Sequence, residues 1–131
     1  MSFKGLLTVT GVIGVLFGLG FLLAPSLVLA QYRIQTDPAG LFVAQLFGAA
    51  QLELGLVFFL ARRVDDPSTM RGIALGACIG ELAGLWIALR IQITGLTNAM
   101  GWSTVAIYGL LALGFGRFAF GRYAATRPST P

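Results

Sequence analysis

The chain has no histidine and a single cysteine. Without imidazole there is no His-ligated haem, no His-containing zinc site and no Ser-His-Asp machinery. Cys78 has no second thiol for an intrachain disulfide, and its apolar surroundings make it a small core residue rather than a redox or metal centre. Charge is scarce as well: Asp, Glu, Lys and Arg are 11% of the chain, against roughly 25% in soluble domains. Despite a net charge of +4, no basic stretch is dense enough for nucleic acid. Phosphate-binding glycine loops, metal motifs and nucleophile elbows are missing too. No cofactor and no metal is expected, and catalysis is not assignable.

What is abundant is apolar. Hydrophobic residues are 56% of the 131, and the mean hydropathy is +0.84. The length allows one domain. Four apolar stretches, about 5–24, 41–61, 72–89 and 101–120, each approach the ~20 residues that a spanning helix needs. They predict an all-α integral membrane four-helix bundle occupying 1–121, followed by a polar, Pro-containing tail at 122–131. Lys4 and the first apolar run imitate a signal peptide. The run is about twice the usual 7–15 residue apolar region of one, so it reads as a retained first helix.

Helix starts are marked by Asp37-Pro38 and Asp66-Pro67, each an N-cap acceptor followed by proline at the first helical position. Asn98 is placed to cap the fourth span in the same way. Pro25 interrupts the end of the first, and residues 27–33 suit a short stretch in the membrane interface, with Tyr32 at headgroup level.

Basic residues set the topology. Lys4, Arg62, Arg63, Arg71, Arg117, Arg122 and Arg127 fall on one side, and Arg33 and Arg90 on the other. By the positive-inside rule the bundle runs up-down-up-down with both termini cytoplasmic.

Small residues recur at helical spacing. Gly72, Gly76, Gly80, Gly84 and Ala88 form a ladder along the third span. Gly14 with Gly18 marks the first, Gly48 with Ala44 and Gly55 the second, and Ala112 with Gly116 the fourth. In lipid such spacing lets backbones approach closely, so these faces, Gly14, Gly18, Gly48 and the third-span glycine zipper above all, are expected to be helix-packing surfaces. They serve the bundle itself, a homo-oligomer or a larger membrane complex.

Two carboxylates lie within spans, Glu53 and Glu81, and an ionisable residue at that depth is a functional-site hypothesis by default. Gly48-Ala49-x-x-x-Glu53-Leu54 parallels Gly76-Ala77-x-x-x-Glu81-Leu82, a trace of an inverted repeat or a coincidence of composition. Glu53 is nine residues from Arg62 and Glu81 ten from Arg71, about 13 and 15 Å along a helix, so both sit at a similar level. Glu81 shares its face with Ala74, Ala77, Gly84 and Ala88 and should point inward. With no cation at this depth, hydrocarbon disfavours the ionised form, and at least one of these buried carboxylates is expected to hold its proton. Gln51, Gln45 and Tyr108 are the expected hydrogen-bonding neighbours of a proton or ligand site. The alternative role is polar glue between helices.

Thr94, Thr97, Asn98, Trp102, Ser103 and Thr104 cluster with Arg90 and Gln92 at the opposite end. Trp102 reads as an interfacial anchor or as a wall of a small pocket, and Trp86 as a lipid-facing or core aromatic.

The run Gly101-Trp102-Ser103-Thr104-Val105, the later Leu110-Leu111-Ala112-Leu113-Gly114-Phe115, the Asp37-x-Ala39-Gly40 start and the Leu46-Phe47-Gly48-Ala49 step resemble small bacterial four-helix membrane proteins of the DoxX-like kind. The resemblance covers residues 5–120 and implies a multi-pass protein of the bacterial inner (plasma) membrane, with no catalytic residues to carry over. Small multidrug-resistance transporters also have four helices, but their glutamate is in the first, which has no acidic residue here.

Three functions remain open. The first is a non-enzymatic packing or accessory subunit acting through protein or membrane lipid partners. The second is a small proton-coupled transporter or channel using Glu53 and Glu81. The third is a redox or lipid-modifying enzyme whose reactive group comes from elsewhere. A polar cavity reaching both carboxylates would favour the second, and a filled bundle centre the first.

Overall fold

The computed structural model describes residues 1–121, so the expected polar tail at 122–131, with Arg122 and Arg127, lies outside the described residues. The described chain is all-helical: α1 Phe3–Leu23, α2 Pro25–Gln31, α3 Pro38–Ala61, α4 Pro67–Ile93 and α5 Gly101–Phe120. Four of these, α1, α3, α4 and α5, are long and apolar enough to cross a membrane, as in a multi-pass membrane protein. Large side chains such as Leu16, Phe42, Ile79, Trp86 and Leu113 stand exposed around the outside, as expected of a surface solvated by lipid.

Local chemistry sets the helix ends. Asp37 accepts from the Gly40 amide at 2.8 Å and Asp66 from the Thr69 amide at 2.8 Å, with Pro38 and Pro67 opening the helices behind them. The Thr69 hydroxyl, then its amide, hold the exposed Asp66 carboxyl below its ordinary value. Ser2 caps α1 by accepting from Gly5, a cap outside the sequence expectation. Asn98, three residues before α5 begins, accepts from the Met100 amide at 3.0 Å, so it tightens the preceding turn rather than occupying the N-cap. α4 reaches five residues before and four beyond the apolar stretch 72–89, because Asp66-Pro67 starts the helix and Gly95, at φ +73°, ends it.

α2 ends in the same way with an unusual residue. The Ile34 amide bonds back to Leu29 O and the Arg33 amide to Ala30 O, the two bonds of a Schellman cap. Arg33 holds the left-handed position at φ 57°, where glycine is favoured.

Packing joins the long helices into an open ring. α1 packs along α3 and α4 along α5, while α1 meets α5 more briefly and no comparable contact links α3 with α4. The spatial order is therefore α3–α1–α5–α4. In the α1–α3 seam, Gly11, Gly14 and Gly18 meet Gly55, Leu52 and Gly48 with backbone against backbone. Arg71 donates to Ala119 O at 2.9 Å, and the Cys78 thiol to Ala112 O at 3.6 Å, pairing α4 with α5 in opposite directions.

The buried core sits at one end only. Phe3, Leu6 and Leu7 of α1 interlock with Ala74, Ala77 and Cys78 of α4 and Leu111, Phe115 and Ala119 of α5. The Phe58 ring of α3 lies 5.6 Å from that of Phe115, and Lys4 pairs with Asp65 across the surface at 2.6 Å. We call this the basic end. At the α2 end the helix pairs are joined by polar ties instead. Asn98 donates to Gln31 O at 2.8 Å, and the Thr104 hydroxyl donates to the Tyr32 hydroxyl at 3.2 Å.

Candidate functional site

Between these two closures the bundle is hollow. A cavity of about 860 Å³ lies in the open sector of the ring, with walls from α3 and α4 and a back formed by α1 and α5. Its volume falls within the roughly 300–1,000 Å³ of small-molecule sites. Along α4 it is lined from Gly72 to Ile91, a helical rise of about 28 Å, close to the thickness of a bilayer's hydrocarbon core.

The α4 wall is the glycine ladder. Gly72, Gly76, Gly80, Gly84 and Ala88 all line the cavity. A Cβ added at Gly72, Gly76 or Gly80 would meet nothing within 4 Å. Within the bundle, then, the expected packing does not occur at these three positions: the small residues leave space that no other helix of this chain fills. Periodicity gives the size of the residues on a face, and a face of small residues looks the same whether a neighbour presses on it or stands away. Gly84 differs from them, since the Tyr108 ring of α5 lies directly against it. The glycines that admit close backbone approach are Gly14, Gly18 and Gly48. A Cβ on Gly48 would lie 2.8 Å from the Phe21 carbonyl carbon, and one on Gly18 would lie 2.7 Å from Leu52 Cα.

The carboxylates also separate. Glu81 is half-buried and lines the cavity from α4, together with Gln51 from α3 and Tyr108 from α5. Glu53 is exposed and Gln45 points elsewhere, its amide donating to Leu22 O at 3.3 Å. Neither lines the cavity, so the two glutamates at similar depth do not share a site. Glu53 and Gln51 are two residues apart, about 200° around a helix, so only one of them can face inward. None of the five acidic residues is fully buried, a second correction: the cavity keeps Glu81 partly open. Glu81 shares with Gln51 the middle depth that was assigned to the two glutamates, eleven residues from Arg62 and ten from Arg71.

Polarity is graded along the cavity. Tyr32, Thr97, Thr104 and Tyr108 contribute hydroxyls toward the α2 end, while Ile73, Phe58, Ile107 and Leu111 make the basic end apolar. Thr10 turns its hydroxyl back to Leu6 O at 2.9 Å and is satisfied within its own helix. Among the described residues no group hydrogen-bonds the Glu81 carboxyl, and no Lys, Arg or second acid lines the cavity with it. No cluster of acids and thiols among them could hold a metal ion. Of the expected site residues Glu81, Gln51 and Tyr108 come together here while Glu53 and Gln45 do not, and sequence reasoning missed Tyr32 as part of the wall. The signal for Tyr32 was its predicted interfacial position; α3 is apolar on all sides and gives no face to read.

No family model, curated protein or solved structure matches the chain.

Proposed function

We propose that this protein is a non-catalytic membrane component that works by binding an apolar partner of lipid-like chemistry in the cavity between α3 and α4. The observation carrying this reading is the cavity itself, long as the hydrocarbon core is thick, apolar along most of its walls and polar at middle depth and toward the α2 end. A filled bundle centre would point to packing alone, and this centre is not filled. Glycine weakens a helix, and its accepted uses include letting a ligand lie close against a backbone. The ladder of α4 suits that use. The lining holds neither thiol nor imidazole, which supports binding over catalysis.

This reading extends the DoxX-like resemblance and its bacterial inner-membrane setting, with the bundle running up-down-up-down and both termini cytoplasmic. The basic end, with Lys4, Arg62, Arg63, Arg71 and Arg117, would face the cytoplasm and the α2 end the opposite side. Cysteines introduced at Ser68 and Thr97 should then be labelled from opposite faces of intact vesicles; labelling of both from one face overturns the orientation. A transport role using Glu81 alone is favoured over one using the glutamate pair, because only Glu81 lines the cavity.

Native mass spectrometry of protein purified in mild detergent tests the binding reading. The wild type should retain an amphiphile that Gly76→Leu and Gly80→Leu both lose while keeping their fold. Retention unaffected by either substitution overturns it.

A further inference from the structure

The cavity wall combines one carboxyl with a set of aromatic rings. Phe17, Phe21, Phe47 and Phe58 line it alongside Tyr32 and Tyr108, and these rings come from α1, α2's C-terminal turn, α3 and α5. Glu81 is the lining's sole ionisable acid and there is no basic side chain in it. A lone carboxyl in a medium of low polarity keeps its proton, and ionises where a partner of opposite charge arrives to stabilise it. Aromatic faces add attraction for the same sign of charge, the more so where water is thin. An anionic ligand would find no basic side chain in the lining to hold it. A neutral chain would find the apolar walls but leave the carboxyl without a partner.

Resting on the reading of this cavity as a ligand site, we infer that its ligand class is a lipophilic organic cation, an apolar body carrying an amine, quaternary ammonium or similar positive centre that lies against Glu81. The apolar part occupies the basic end, where Ile73, Phe58, Ile107 and Leu111 form the walls. The positive centre rests at the level of Glu81, Gln51 and Tyr108.

Three aryl probes separate the possibilities by calorimetric titration of the full chain in detergent: tetraphenylphosphonium, its anionic isostere tetraphenylborate, and neutral triphenylphosphine oxide. Tetraphenylphosphonium is expected to bind at least tenfold tighter than either of the others. Glu81→Gln, which keeps shape and hydrogen bonding, should remove that advantage and bring the cation to the level of the neutral probe. Glu53→Gln, outside the cavity, should leave all three unchanged, and Gly80→Leu should weaken all three together. If the neutral probe binds as well as the cation, or Glu81→Gln leaves the cation's affinity intact, the cation inference is overturned while the cavity remains a ligand site. If no probe binds the wild type, or Gly80→Leu changes nothing, the cavity reading fails and the inference fails with it.

Discussion

Two runs of glycine, both at helical spacing, do opposite things in this molecule. Along the α1–α3 seam, Gly11, Gly14 and Gly18 sit against Gly48, Leu52 and Gly55 so closely that a Cβ on any of these glycines would come within 3 Å of a backbone atom. Along α4, Gly72, Gly76 and Gly80 have no atom near enough to touch such a Cβ. In the first run the missing side chains are replaced by another helix, and the gain is dispersion and weak backbone contact at short range. In the second they are replaced by nothing the chain supplies. Glycine spacing is thus a statement about how much room a face leaves, and the tertiary fold decides what takes the room.

Substitution can break or sharpen this contrast. The largest effect is expected at Gly48→Leu, which drives a branched side chain into the Phe21 and Leu22 backbone; it should cost about 3 kcal/mol or more and prevent α1 from docking on α3. A Gly48→Leu protein with unchanged thermal stability in detergent would erase the distinction. Gly84→Ala comes next. Its Cβ meets the Tyr108 ring, a side chain rather than backbone, so the ring turns aside at about 1–2 kcal/mol. Combining it with Tyr108→Ala should recover most of that loss. Gly80→Leu, the same chemical change as at Gly48, is expected to alter stability by less than about 0.5 kcal/mol, because it enters open space. A melting temperature as low as that of Gly48→Leu would mean that a helix covers the ladder after all.

The smallest effect concerns acid. The Asp66 carboxyl is held below its ordinary value by Thr69 and Ser68, so the native state favours its ionised form. That contribution is complete above the ordinary Asp range and is lost as pH falls through the lowered native value. Asp66→Asn should flatten this acid limb slightly and leave melting at pH 7 nearly the same. An identical acid limb in the two proteins would show that the cap contributes nothing there.

Much of the architecture was legible because it rests on local chemistry. Asp37-Pro38 and Asp66-Pro67 name the starts of α3 and α4, and the length of each apolar run names a span. The inward face of α4 was readable too, since Ala74, Ala77, Glu81 and Gly84 recur at one angle and the structure turns them toward the interior. The face of α3 was not. Its apolar residues surround the helix, so nothing in the pattern distinguishes Gln51 from Glu53, and only the packing of Gly48 and Gly55 on α1 fixes the rotation. The cavity was invisible for a related reason. It results from α3 and α4 failing to meet, and consecutive antiparallel spans ordinarily pack side by side. Arg33 also concealed the end of α2, because the left-handed cap position is usually announced by glycine.

The ring order has a consequence for how the chain reaches this state. Each extensive helix pair, α1 with α3 and α4 with α5, is contiguous along the sequence apart from the short α2, and the two pairs meet over a far smaller surface. Helices that have already entered a bilayer associate in a second stage, by packing rather than by hydrophobic burial. Each half therefore closes on itself as a hairpin whose contacts are local, so neither waits for the other to be synthesised. The expected last step is the docking of the hairpins through Phe3, Leu6, Leu7, Phe115 and Ala119, with Asp65 of the α3–α4 connection pairing with Lys4 as they meet.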